Sequence, residues 1–262
     1  MSKIKVGGTI LGVVLALGLV SLFWLPADPL HVEPAMRLAP LSWEHPLGTD
    51  RFGRDVLARI MVGARITITV SVAAAFIAAL IGTPLGILAG MRKMDWIDWL
   101  IMRGSDLLLA FPALLMAILF GAIWGPSMWS SVLAIGVAGI PGFVRVSRAG
   151  TRQIMHQDFI AAARLAGKGS MWITRNHVLP NISTVVIIQF TVALSLAILA
   201  EAGLSFLGLG TPPPHASWGT MLQAAQASLG SAPQLALWPG LAITLTVWAC
   251  TLVGDGLAER KS

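Results

Sequence analysis

This sequence has little charge. Of its 262 residues only 11% are charged, while 56% are hydrophobic and the mean hydropathy is +0.78; soluble domains carry about a quarter charged residues. So few charges do not cover a water-facing surface, which excludes an ordinary soluble protein and makes lipid the solvent for much of the chain. Cysteine is almost missing too. Cys250 stands alone in an apolar run, so neither a disulfide framework nor a thiolate metal site can form within the chain. No Ser/Gly-rich linker or low-complexity tract divides the sequence, which reads as one continuous bundle. His31, His45, His156, His177 and His215 are scattered, without the i,i+4 pair or cluster that holds a metal. A near match to a phosphate-binding loop ends at Gly167-Lys168, but it opens on Ala162 and is followed by Gly169 where Ser or Thr is required. No nucleophile–base pair sits at span depth either, so the expectation is a protein without a catalytic centre or bound cofactor.

What is present is a set of long apolar runs. A spanning helix needs about 20 apolar residues, and such runs occur near 6–26, 66–90, 100–122, 128–146, 182–202 and 237–253. The first follows Lys3 and Lys5 as a signal peptide would, but Phe23-Trp24-Leu25-Pro26 lacks a small-residue cleavage pattern, so an uncleaved anchor is expected. With the N-terminus inside, thirteen Lys and Arg fall in cytoplasmic segments, Arg92, Lys93 and Lys261 among them, and five in external ones. The positive-inside rule then places both termini in the cytoplasm. The net charge of +6 reads as this orientation signal and not as a nucleic-acid footprint, because the basic residues lie between spans without interleaved exposed aromatics. The predicted fold is an all-α membrane protein of about six spans. Residues 1–65 form an anchor helix with an external segment, and 66–258 form the main transmembrane domain.

Three connections are too long for turns. In the first external segment, Val56, Leu57, Ile60 and Met61 share a helical face beside an Asp55–Arg59 i,i+4 pair, which predicts an interfacial amphipathic helix. Within the cytoplasmic loop 150–181, Asp158 is a candidate N-cap for an Ala-rich helix stopped by a left-handed Gly167, and Ser170 a candidate cap for a second helix ending before Pro180. The last external segment, broken by Gly208, Gly210 and Pro212 to Pro214, predicts a cap over the bundle, with Trp218 and Trp238 suited to a headgroup belt. Within the spans, Arg103 and Asp106 are spaced for a local pair. Glu201, about 19 residues into the fifth run, suits a pore gate or a plain helix end equally.

Ala161-Ala162-Ala163, Gly167, then His177-x-Leu179-Pro180 resembles the EAA loop of type I binding-protein-dependent ABC importer permeases. His45-Pro46-Leu47-Gly48-Thr49-Asp50, Leu109-Ala110-Phe111-Pro112, the run from Glu201 to Gly210, Ser217-Trp218-Gly219 and Gly254-Asp255-Gly256-Leu257 narrow it to the dipeptide/oligopeptide/nickel subfamily, second permease type of the pair. The resemblance implies a permease in a bacterial or archaeal cytoplasmic (inner) membrane that forms half of a translocation pore. Its partners would be a second homologous permease as a heterodimer, two ATPase subunits, an extracytoplasmic substrate-binding protein and membrane lipid. ATP and Mg would be used only by the ATPase subunits. It also implies that Asp158, Ala161, Ala162, Ala163, Gly167, His177, Leu179 and Pro180 form the ATPase-docking coupling helix and its flank. Where the family usually has Glu stands Ala161, so that charged contact is absent or carried by Asp158. The expected cargo is di- or oligopeptides, with a nickel or metal-chelate importer as the alternative. A secondary transporter of another class would show mid-membrane charge pairs and an internal repeat, which the sequence lacks.

Overall fold

The computed structural model describes residues 2–91 and 95–260; Arg92, Lys93 and Lys261, counted above for orientation, lie outside them. The apolar runs become helices. α1 (Ser2–Val20) and α2 (Val56–Gly90) are separated by a long loop, followed by α3 (Asp95–Ala110), α4 (Ala113–Trp124) and α5 (Met128–Met155). Two short helices, α6 (Asp158–Leu165) and α7 (Ser170–Ile173), lead into α8 (Leu179–Phe206), and α9 (Trp218–Ala225) precedes α10 (Gln234–Glu259). Among the described residues there is no strand, only a single bridge between Thr49 and Asp55. Among the described residues five helical runs are long and apolar enough to cross a membrane, or six if α3 and α4 form one span.

Small residues set the packing, as expected where lipid removes the hydrophobic drive between helices. Gly82, Gly86 and Gly90 form an i,i+4,i+8 stripe on α2 against α5. A Cβ at Gly82 would lie 2.6 Å from the Ile140 carbonyl, and one at Gly90 would lie 2.6 Å from Thr151 Cβ. On the other side of the bundle α1 runs antiparallel to α10. A Cβ at Gly7 would come within 2.6 Å of the Ala249 carbonyl, and Lys3 pairs with Glu259. Both chain ends therefore emerge at one end of the bundle, together with the α5–α8 loop. The segments preceding α2 and surrounding α9 lie at the opposite end.

Several expectations are corrected. No separate interfacial helix precedes the second span. Its residues are the first turns of the continuous 35-residue α2, with Val56, Ala58, Ile60 and Met61 all buried. The third run is not one straight helix: it breaks at Phe111-Pro112, and α3 and α4 meet at 86°. Asp106 pairs with Arg145 of α5 at 2.9 Å, not with Arg103. Below it Asp98 is gripped by both Arg148 and Arg152, each at 2.5 Å, which ties α3 to α5.

Candidate functional site

The α5–α8 loop is built around α6. Gln157, not Asp158, is its N-cap residue and gives no side-chain bond; Asp158 is the first helical residue, where its carboxylate faces the positive end of the helix dipole. The helix closes in a Schellman motif. Gly167 adopts φ +71°, its N–H donates to the Arg164 carbonyl and the Lys168 N–H donates to the Ala163 carbonyl, each at 3.0 Å. The left-handed stop read from the sequence is thus present. Gly169, not Ser170, precedes α7 as its cap residue. The second short helix, α7, ends at Ile173, before Pro180 as expected, but the helical path does not stop there. Pro180 brings no N–H to the turn before it, and the chain passes that point through a π turn, Thr174–Val178, straight into α8.

One face of this loop is pinned and the other is bare. Ile160, Ala163, Ile173 and Val178 pack with Ile87 and Ile182, fastening α6 and α7 to the ends of α2 and α8. Thr174 Oγ1 reaches Met91 Sδ at 3.2 Å. His177 lies between Phe159 and Trp172, with ring centroids 5.3 and 5.2 Å away, and Lys168 Nζ stands 5.2 Å from the Trp172 ring. Ala161, Ala162, Leu179 and Pro180 are exposed, and Leu165 is 91% and Met171 81% exposed. A rigid helix thus presents small and apolar side chains on its free face, the chemistry of a contact surface.

Glu201 lies elsewhere, near the opposite end of the bundle and inside the chain. It is 1% exposed and accepts hydrogen bonds from Thr67 Oγ1 of α2 at 2.9 Å and Ser205 Oγ at 2.7 Å. Trp218, read from the sequence as a headgroup anchor, is buried here at 1% exposure. Its ring lies over Gly63, where a Cβ would be 2.7 Å from Trp218 Cδ1, and its Nε1 donates to the Ile60 carbonyl at 3.1 Å. Ser217 caps α9 through a reciprocal box with Thr220. These contacts fold the segment between α8 and α10 down as the cap that its breakers implied.

The loop before α2 is a second element at that same end. Asp55 caps α2 by accepting from Ala58 N at 2.7 Å, and its other oxygen bonds His45 Nδ1 at 2.8 Å. Asp50 takes Arg54 at 2.7 Å and Arg59 at 3.7 Å, so the Asp55–Arg59 pair suggested by spacing does not form. Gly48 and Gly53 supply left-handed turns at φ +74° and +78°. The Asp immediately before an apolar helical run was the available signal for this cap. The His45 contact, ten residues away, had none.

A membrane bundle with a packed loop helix at one end and a folded-back cap at the other is the architecture of an ABC importer permease. The fold matches inward-facing structures of the MetNI methionine ABC transporter, with a TM-score of 0.65 at 16% identity over 76% of this chain and 94% of the other. Residues 82–260 match the family model of the binding-protein-dependent transport system inner membrane component, and the chain belongs to that family. It is 39% identical to a putative peptide transport system permease protein of Brucella suis, over 96% of this chain and 85% of that protein. It is 41% identical to the dipeptide transport system permease protein DppC of Alkalihalophilus pseudofirmus, over 87% and 75%. With the glutathione transport system permease protein GsiD of Escherichia coli the identity is 43% over 83% and 72%. The chain is a multi-pass inner-membrane permease subunit of a binding-protein-dependent ABC importer.

Proposed function

We propose that the chain forms half of a translocation path for di- and oligopeptides, paired with a second homologous permease. The observation that supports this cargo is the agreement of the relatives, whose names specify peptide, dipeptide or glutathione. Residues 66–258 act as the transmembrane domain, and residues 1–65 add the anchor and the outer loop. Both termini lie in the cytoplasm. On that side the loop 150–181 seats α6 in an ATPase subunit, with Ala161, Ala162 and Gly167 at the contact and Ala163 holding the helix to the bundle. His177, Leu179 and Pro180 fix where α8 begins. Two ATPase subunits use ATP and Mg, and an extracytoplasmic binding protein delivers cargo to the outer cap. Closing of the ATPase pair then rocks the spans by rigid-body motion. The test is uptake of a labelled dipeptide into vesicles holding the assembled complex and its binding protein. Uptake is expected only with ATP, and uptake under a proton gradient alone would place the protein in another transporter class.

A further inference from the structure

Glu201 is a carboxylate in the fifth spanning segment, 1% exposed, and it makes no ion pair among the described residues. An ionisable group in such a place is expensive, and its surroundings show what it does there. Both carboxylate oxygens are used. Oε1 accepts from Ser205 one turn later in α8, and Oε2 accepts from Thr67 of α2. A threonine hydroxyl has one hydrogen. Because Thr67 gives it to Glu201, its lone pairs are left facing the Trp218 N–H at the start of α9, 3.4 Å away. Gly219 then lies so close to α8 that a Cβ there would be 2.7 Å from Ser205 Cβ, and the Trp218 ring fills the notch at Gly63. Three elements meet at this one carboxylate: α8 carries it, α2 answers it, and α9 reaches it both directly, through the side chain of its cap residue Ser217, and through what α2 has left to offer the Trp218 N–H.

We propose that Glu201 is a positioning residue that clamps the outer cap to α2 and α8, so that α9 moves with those two helices as one body when the permease changes state. Without Glu201 the Thr67 hydroxyl is free to turn its hydrogen back to a carbonyl of its own helix, the ordinary habit of Thr inside helices, and the Trp218 N–H loses its oriented acceptor. A side chain that only filled space would be replaced equally well by methionine. The clamp requires an acceptor, which glutamine keeps: its amide oxygen can take the Thr67 hydrogen, and Ser205 can accept from its NH2.

The experiment reads the seating of the cap directly in the assembled transporter. In a Cys250→Ala background, Ala216→Cys places a thiol just before α9 at a position 2% exposed, and a membrane-impermeant maleimide is applied from outside. Glu201→Met is expected to raise the labelling rate about tenfold, the scale set by losing one or two buried hydrogen bonds. Thr67→Val should do the same through the other half of the relay, and Glu201→Gln should stay within about twofold of the parent. A second reporter, Ala89→Cys, sits at the opposite end of α2 at 1% exposure; it is read with the same maleimide on the purified complex in detergent, where both ends are reachable, and should stay protected in every variant. The proposal is overturned if Ala216→Cys remains protected in the assembled Glu201→Met and Thr67→Val proteins. It is equally overturned if Glu201→Gln labels as fast as Glu201→Met, or if Ala89→Cys opens in parallel, which would make Glu201 a general stabiliser of the bundle. None of these readings depends on the cargo, so they stand or fall apart from the peptide assignment.

Discussion

Lys3, the second residue of the first helix, pairs with Glu259 at the end of the last, 256 positions away in the chain. Both side chains are about half exposed, at 46% and 56%, so the pair contributes little stability; its value is as a marker of geometry. The close contacts of Gly7 with Ala249 and Gly256 with Ile4 hold α1 and α10 side by side in opposite directions. Thiols placed at Ser2 and Arg260 in a Cys250→Ala background should therefore report the same side of the membrane, and with the proposed orientation neither should react with an impermeant reagent in intact cells. Reaction at one end only would break the antiparallel pairing of α1 with α10.

Gly86→Leu should be severely destabilising. Its Cβ alone would lie 2.7 Å from Ser147 Cβ and 3.0 Å from the Arg148 N, and backbone neighbours cannot step aside as a flexible side chain can. Overpacking of this kind costs about 1–3 kcal/mol or more, to be read as a lower melting temperature and yield of the complex in detergent. Gly121→Leu on α4, where nothing lies within 4 Å, is the matched control and should behave as the parent. Equal effects of the two would mean that the α2 stripe is not the contact that sets the spacing to α5.

What the sequence could and could not announce follows from the range of each interaction. Apolar runs and the Gly167 stop depend on neighbours in the chain, and they are found where the pattern put them. The fate of the prolines depends on what packs nearby. Pro84, Pro141 and Pro239 all remain inside helices, Pro141 and Pro239 buried and Pro84 exposed but between Gly82 and Gly86, which press its helix against α5, whereas the equally exposed Pro112 lies at the 86° break. Residue type alone does not separate these cases. Asp106 had a partner available at Arg103, but α5 offered Arg145, and Arg59 turned to Asp50 once Asp55 was engaged as a cap. Trp218 has the composition of a headgroup anchor; only the notch left by Gly63, far away in sequence, makes it a core residue. Glu201 was visible as an ionisable residue in a span, but its hydroxyl partners on α2 were not.

Asp98 should behave as a brace between α3 and α5. It takes Arg148 through two nitrogens and Arg152 through a third, and the three side chains are between 18% and 28% exposed. That is too buried for a surface pair and too wet for a core one, so Asp98→Ala is expected to cost about 1–2 kcal/mol, between the two regimes. A double-mutant cycle with Arg148→Ala, followed by thermal unfolding of the complex, measures the coupling. Zero coupling would mean that the Asp98–Arg148 pair does not brace α3 against α5.

The conformation of Gly167 gives the most discriminating test of the loop. No atom lies within 4 Å of the position a Cβ would take there, so space forbids nothing and only the backbone does. At φ +71° a β-branched residue is strained by roughly 1–2 kcal/mol, while asparagine tolerates the left-handed region. Gly167→Val should therefore tilt α6 away from the line set by its two closing hydrogen bonds, whereas Gly167→Asn should preserve it. Since the residue lies outside the spans, membrane insertion should be normal in both. If α6 is the element seated in the ATPase, the Val protein should recover less ATPase subunit on purification and lose most of its binding-protein-stimulated hydrolysis, while the Asn protein keeps both. Equal, unimpaired assembly of the two would remove the Gly167 turn from the coupling path. Equal loss would show that the position touches the partner directly, through a side chain's bulk and not through the backbone angle.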